Sequence, residues 1–455
     1  MIDNREEVLL TYQKLEDDLT NLIPKVRFNK DINMKLERIT HLMEVLGNPH
    51  NSFKSIHVGG TSGKGSTSML IASILTAQGY KTGLHLSPHL QIINERYQIN
   101  CQPVATTKLA EIFERVKPAI DRVARDNPFG KPSYFEAQVA LAFCLFEAQQ
   151  VDVAIIEVGL GGRLDATNLL SSQVSVLTSV GLDHTEILGD TIEEISQDKA
   201  GIIKDSQKVV CGFSQETTQE IVKQRCQEKN AGLWQLGKDF TFSFNCGLLT
   251  VNLPDKVYDN LSLKMLGEFQ ASNGACAVAA AYLFLQGKVS DIAVKKGLAI
   301  ASIPGRMEIL QTQPLVILDG AHNPDKMASA SRAINNLFGD KEKIVVFSLK
   351  EGKVAKDILP CLLVNTKSII VTAFRIKGLW EPCSPEELAE IIKSINPNLP
   401  SSIIHNPIDA VKYAVSSAKL NDLVWITGSL YLAGDIREYW HPASALIMAA
   451  EAEAI

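Results

Sequence analysis

The run Ile56-His57-Val58-Gly59-Gly60-Thr61-Ser62-Gly63-Lys64-Gly65-Ser66 constrains this chain more than any other stretch. It joins the end of a β-branched apolar strand to a glycine-rich turn, a lysine and a hydroxyl. Glycines let backbone N–H groups curl round phosphate oxygens, Lys64 offers a compact cation, and the helix that follows presents the positive end of its dipole. Strand, loop and helix in that order belong to α/β layering. The spelling departs from GxxxxGK[ST]: Val58 stands where the first glycine would, and Gly65 separates Lys64 from Ser66. A glycine turn capped by Ser66 without a ligand is the alternative, and the lysine ahead of a helix weighs against it.

The 455 residues, 45% of them hydrophobic, suffice for two or three domains with ample core. A net charge of -6, with Lys and Arg spread along the chain, gives no basic footprint for nucleic acid. Cysteines at 101, 144, 211, 226, 246, 276, 361 and 383 form no CxxC pair, which points to reduced thiols in a cytoplasm rather than a zinc site or disulfide framework. The acidic start MIDNREEVLLTYQKLEDDL lacks the pattern of a signal peptide, and no apolar run approaches a membrane span, so no membrane partner is expected.

Leu36, Ile39, Leu42, Met43 and Leu46 predict a helix within 31–47, ended by Gly47 and Pro49. Strand 55–58, helix 66–77, strand 81–86, helices 107–124 and 136–148, and strands 151–158 and 174–180 then read as α/β with a largely parallel sheet, because near-continuous apolar strands imply burial on both faces. Thr191 with Glu194 caps a helix over 191–199 that Gly201 ends. Period-two alternation over 240–265 around Asn245-Cys246-Gly247 predicts a hairpin at the sheet edge, and 268–287 a long alanine-rich helix. Ser302-Ile303-Pro304-Gly305 punctuates the chain. Beyond it, strands 315–319, 343–348, 368–372 and 422–427 alternate with helices 325–337, 384–394 and 407–418. The expected division is 1–300 and 301–455, each α/β. The tail AAEAEAI reads as a solvated helix end or disorder.

Ligands of open α/β sheets sit beyond the carboxyl ends of the strands. Four polar stretches stand there: Ser87-Pro88-His89, Glu157 to Arg163, Gly181-Leu182-Asp183-His184, and Asp319 to Pro324. Glu157 suits Mg²⁺, a hard cation that takes one or two carboxylates and a hydroxyl beside nucleotide phosphates, although capping or ion pairing is the ordinary use of such an acid. His184 alone reads as a structural hydrogen-bonder. Lys199 reads either as a solvated lysine at a helix end or as a site residue. Arg306 suits a phosphate or an interdomain ion pair.

GTSGKGS, LSPHL with INERY, EVGLGGRLDATN, GLDHTEILGDTIEEISQDKAGIIK, PGRMEIL, DGAHNP and GSLYLAGD together resemble the folylpolyglutamate synthase and dihydrofolate synthase family, related to the Mur peptidoglycan ligases. The resemblance runs from about residue 34 to 436. It implies a P-loop ATPase-like domain with a mostly parallel sheet, then a smaller Rossmann-like α/β glutamate-ligase domain that closes over ATP, with the active site in the cleft. It also implies an ATP-dependent ligase joining L-glutamate to a folate or dihydropteroate carboxylate, with ATP and Mg²⁺ required, and a monomer.

By the same resemblance Gly60, Thr61, Gly63, Lys64, Gly65 and Ser66 cradle ATP, with Asn273, Arg306 and Asp319 as further nucleotide contacts. Ser66, Ser87, Glu157 and His184 match metal positions. Lys64, Lys199 and His322 match catalytic positions, and Lys199 falls where the superfamily carries a carbamylated lysine, which requires desolvation because an ordinary lysine stays protonated. His322 and Ser429 match the glutamate site; Leu164, Asp165 and Ala166 match the pterin loop, with Ser133 and Asn33 as further contacts. Ser62, Asp198, Phe269 and Ile303 stand where the family commonly has asparagine, glutamate, histidine and tryptophan. A Mur-type amino-acid ligase or a nucleotide-binding regulator would also use such a loop, but Mur ligases place Ser or Thr directly after the lysine, and a switch needs no DGAHNP or KAGI segment.

Overall fold

The computed structural model describes residues 4–23, 36–126, 130–375 and 380–452. The chain divides into two compact units: residues 1–264, 270–302 and 446–455, and residues 265–269 with 303–445.

The first unit is built on eight strands: β1 (Lys54–Gly59), β2 (Thr82–His85), β3 (Tyr97–Ile99), β4 (Gln102–Pro103), β5 (Val153–Glu157), β6 (Val174–Leu177), β7 (Lys208–Cys211) and β8 (Gly232–Gln235). Their order is β4-β3-β2-β5-β1-β6-β7-β8. All pairs are parallel except β2–β3 and β3–β4, at one end of the sheet. The apolar run of β5 is buried throughout, as a strand covered on both faces must be. The helix Lys64–Ala77 returns the chain from β1 to β2, two places away, while β6 lies on the other side of β1. β1 is therefore where the winding direction reverses, the position beyond whose carboxyl end open α/β sheets bind their ligands.

The alternating segment does not extend the large sheet. β9 (Thr241–Asn245), β10 (Leu248–Asn252) and β11 (Val257–Ser262) form a separate three-stranded antiparallel sheet, which corrects the expected edge hairpin. Its alternating burial suits a sheet covered on one face, whereas the strands of the large sheet need two. Cys246 and Gly247 both take positive φ, the conformation a two-residue hairpin loop requires.

The second unit contains β12 (Glu308–Thr312), β13 (Leu315–Leu318), β14 (Lys343–Phe347), β15 (Thr366–Val371), β16 (Ser401–Ile403) and β17 (Leu423–Thr427), in the order β12-β13-β17-β14-β15-β16. Only β12 runs antiparallel to its neighbour. Ile317, Phe347, Leu359, Val371 and Trp425 lie in its core. The last strand, β17, inserts between β13 and β14, so the segments after β13 and β17 lie side by side. Helices Pro324–Phe338 and Leu430–Arg437 start there, capped by Asn323 and Ser429.

Candidate active site

The phosphate-type loop leaves β1 and enters the helix Lys64–Ala77, whose N-cap Gly63 has φ +83 and supplies no side-chain cap. The first amides of a helix have no intrahelical acceptor, so this end offers donors to an anion. Glycine is required twice. A Cβ on Gly63 would lie 2.3 Å from Asn273 Oδ1, and one on Gly60, at φ +140, would lie 2.1 Å from Thr178 Oγ1.

Residues after β6 hold the loop in shape. Thr61 N–H donates to Ser179 O at 2.8 Å, Ser62 N–H to Ser179 Oγ at 3.0 Å, and Thr178 Oγ1 to Ser62 O at 2.7 Å. On its other flank Gln270 Nε2 donates to Ser66 Oγ at 3.3 Å, and Gln270 Oε1 accepts from Asn273 Nδ2 at 2.9 Å. Thr178, Ser179 and Gln270 escaped the sequence reading. The polar pair directly after β6 was an available signal, and so was Gln270, one helical turn before Asn273.

Lys64 and Lys199, 135 positions apart in number, meet on one carbonyl. Lys64 Nζ donates to Gly60 O at 3.1 Å and Lys199 Nζ donates to the same oxygen at 3.2 Å. Lys199 is buried near the end of the helix Ile192–Ala200. It is therefore not the solvated lysine that its position also allowed. Two ammonium groups on one acceptor repel each other in a partly desolvated site, and an anion beside them offsets this.

Glu157 ends β5 in register with Val58, and Ser87 N–H donates to its Oε2 at 2.7 Å. Ser66, Ser87 and Glu157 are thus oxygen donors from segments at the carboxyl ends of three adjacent strands, β1, β2 and β5. That is the donor chemistry Mg²⁺ takes beside phosphates, and no group of three or more His, Cys, Asp or Glu that could hold a metal exists among the described residues. His184 lies in the loop after β6, at φ +53, with its ring half exposed and Nδ1 3.7 Å from Glu186 Oε1.

The segment after β5 folds back on the Lys199 helix. Arg163 N–H donates to Asp198 O at 2.9 Å, and burial raises the Asp198 carboxyl, against the pull of Lys199 and Arg163. Leu164 is partly exposed, whereas Ala166 is buried. Asp165 is buried with its carboxylate turned inward: it accepts from Leu160 N–H at 2.9 Å, Thr167 N–H at 3.0 Å and the Thr167 hydroxyl. Burial raises its carboxyl, against those hydrogen bonds. Ser133 caps the helix Tyr134–Ala148 in a capping box with Glu136, which also takes Arg38 Nε at 2.6 Å. Asn33 lies outside the described residues.

In the second unit, Asp319 follows β13 and accepts from Ala321 N–H at 2.8 Å and Met307 N–H at 3.0 Å. Burial raises its carboxyl while Arg306 opposes the shift. His322 Nδ1–H donates to Gly320 O at 2.7 Å, leaving Nε2 as the acceptor nitrogen, 3.3 Å from Lys326 Nζ. Gly428 N–H donates to Ala321 O at 3.1 Å, which joins the His322 segment to the Ser429 segment. The Ser429 hydroxyl accepts from Tyr431 N–H at 3.1 Å.

A Mur ligase middle domain model matches residues 58–281, and a Mur ligase glutamate ligase domain model matches residues 305–430. Dihydrofolate synthase/folylpolyglutamate synthase of Bacillus subtilis is 33% identical over 413 residues, covering 89% of this chain and 94% of the relative. The chain belongs to the folylpolyglutamate synthase/dihydrofolate synthase family. Among solved structures of this family, the Mycobacterium tuberculosis folylpolyglutamate synthase complexed with ADP superposes with a TM-score of 0.87 at 28% identity, covering 95% of this chain and 99% of that one. The bifunctional folylpolyglutamate synthase/dihydrofolate synthase of Yersinia pestis, complexed with AMPPNP and a Mn ion, gives 0.82 at 27% identity, covering 94% and 98%. In the family member described here no helix among the described residues is long and apolar enough to cross a membrane.

Proposed function

We propose that this member of the folylpolyglutamate synthase/dihydrofolate synthase family is an ATP-dependent ligase that joins L-glutamate to the carboxylate of a folate and of dihydropteroate through an acyl phosphate. The observation that carries the reading is the convergence of Lys64 and Lys199 on Gly60 O, at the uncapped helix end that follows β1. Gly60, Thr61, Gly63, Gly65 and Ser66 cradle the phosphates, and Lys64 offsets charge on the transferred γ-phosphoryl group as the folate carboxylate attacks it. Asn273, Arg306 and Asp319 serve as further nucleotide contacts. Mg²⁺, when bound, neutralises phosphate charge, and Ser66, Ser87, Glu157 and His184 are the residues to hold it.

Lys199 carries a carbamate in the working enzyme. The Lys199 ammonium gives up a proton, its Nζ lone pair adds to the carbon of CO₂ and a second proton leaves to solvent; the resulting anion removes the repulsion with Lys64 and supplies oxygen donors. Leu164, Ala166 and Ser133 contact the pterin-bearing substrate, with Asp165 shaping their loop from within. His322 and Ser429 hold the incoming glutamate, whose amine displaces phosphate; Nε2 of His322 is the acceptor in the tautomer fixed by Gly320 O, and Lys326 Nζ donates to it at 3.3 Å. The protein works as a monomer in the cytoplasm, a setting its free thiols suit.

The test supplies ATP, Mg²⁺ and labelled glutamate, and compares incorporation into dihydropteroate and tetrahydrofolate. Incorporation into both is expected. Nucleotide hydrolysis without incorporation into either would refute the ligase reading, and incorporation into one alone would refute bifunctionality.

A further inference from the structure

Arg306 stands on a turn whose shape is imposed from outside. Gly305 has φ +69 and Met307 φ +49, so left-handed backbone flanks it on both sides. A non-glycine residue in that region persists only where its surroundings hold it. Three hydrogen bonds do so. Gly320 N–H donates to Gly305 O at 2.9 Å, Met307 N–H to Asp319 Oδ2 at 3.0 Å, and Gly305 N–H to Glu308 Oε2 at 2.8 Å.

The first two come from the segment after β13. The third depends on Glu308, which a residue far along the chain holds in turn: Arg437 Nε lies 3.0 Å from both Glu308 oxygens, and Nη2 2.9 Å from Oε1. Arg437 is 7% exposed, and such a desolvated, forked pair is directional as well as strong. Both Glu308 oxygens are engaged by these partners. Arg306 itself forms no ion pair among the described residues; its Nη1 lies only 3.5 Å from Gly305 O.

We propose that Glu308 and Arg437 are positioning residues for the ligase reaction: their ion pair fixes the Gly305–Met307 turn so that the Arg306 guanidinium is presented, preorganised, to the nucleotide. The proposal rests on the reading of Arg306 as a nucleotide contact. Neither positioning residue touches substrate; they act through the turn. Arginine is needed at 437 because a lysine offers one point charge where the carboxylate is gripped by a fork.

The test is steady-state kinetics of the full chain, varying ATP, folate and glutamate in turn, for Arg306→Ala, Glu308→Gln, Arg437→Lys and the double variant Arg306→Ala/Glu308→Gln, with melting curves alongside. Glu308→Gln and Arg437→Lys are expected to raise the KM for ATP by about 10-fold to 100-fold and to leave the KM for folate unchanged. In the Arg306→Ala background, Glu308→Gln is expected to add less than about 2-fold, because two changes acting through one group are not additive. Full additivity in the double variant, or an equal rise in every KM, would overturn the proposal. So would near-normal ATP kinetics of Glu308→Gln beside an impaired Arg306→Ala, and that result leaves the Arg306 reading intact. Normal ATP kinetics of Arg306→Ala would instead remove that reading, and the proposal with it. Should a lowered melting point obscure Glu308→Gln, Arg437→Lys carries the same comparison with the charge retained.

Discussion

Lys64 and Lys199 share a carbonyl, and the proposal gives them different work that substitutions separate. Lys64→Ala removes the cation on the transferred phosphoryl group; kcat/KM for product formation is expected to fall by about 10²–10³-fold with the far-ultraviolet spectrum unchanged. Turnover near the parent rate would refute the role. Lys199→Ala is expected to be as damaging but to recover in part with added short carboxylates, because a small acid can stand in for a carbamate. Equal, unrescued loss counts against the carbamate and leaves the lysine. Gly63→Ala places a Cβ 2.3 Å from Asn273 Oδ1 in left-handed backbone, so weaker nucleotide binding by titration is expected along with a lower melting point. Gly63 and Lys64 were legible as parts of one contiguous phosphate-type loop, whereas Lys199 read equally as a solvated lysine, because its burial against Gly60 O depends on the fold. Asp165 was legible as a loop residue only: that its carboxylate turns inward to Leu160 and Thr167 depends on the fold of its own turn. Gln270 reaches Ser66 over a separation of 204 residues, which no local spelling reports.

The central strands carry a second chemistry, which bears on stability. His57 in β1 and His85 in β2 are fully buried, and burial holds each imidazole at about 3, with Lys204 adding to the effect at His57 and Arg96 at His85. The unfolded chain therefore binds protons between about pH 3 and 6.5 that the folded one refuses. Stability rises with pH across that window and is lost as pH falls through it. Between pH 7 and pH 5 each histidine is expected to cost about 2 kcal/mol. Urea unfolding at the two pH values measures the total, and His57→Gln is expected to remove one share of the slope; an unchanged slope would refute the attribution. The same strands explain what the sequence reveals of elements. Apolar runs such as 153–156 and 423–427 announce buried parallel strands, whereas β3, β4 and β16 have two or three residues each and too little pattern to be read. The alternation at 240–265 was rightly seen as antiparallel, but its membership of a separate sheet depends on a covering layer that periodicity does not name.

The residues proposed for the chemistry divide between the units: the loop 59–66, Glu157 and Lys199 lie in the first, and Arg306, Asp319, His322 and Ser429 in the second. The two family models fall on the same two stretches of chain, yet residues 446–455 count with the first unit and 265–269 with the second, exchanges that composition does not reveal. A ligand that binds only the folded state stabilises the unit that binds it by RT ln(1 + [L]/Kd), about 2.7 kcal/mol at one hundred times Kd. For a unit of some 300 residues that is a rise of roughly 4 °C in melting temperature. Calorimetry of the full chain with a non-hydrolysable ATP analogue and Mg²⁺ is expected to show this rise, and hydrogen exchange to place the slowed amides at 60–66 and 178–181. In the second unit, the proposal that Arg306 contacts the nucleotide predicts slowed exchange at 305–307. Lys64→Ala is expected to abolish most of the shift, because the first unit then loses its phosphate cation while Arg306 remains. An undiminished shift in that variant would mean that the nucleotide is held elsewhere, and the assignment of the loop after β1 would fall.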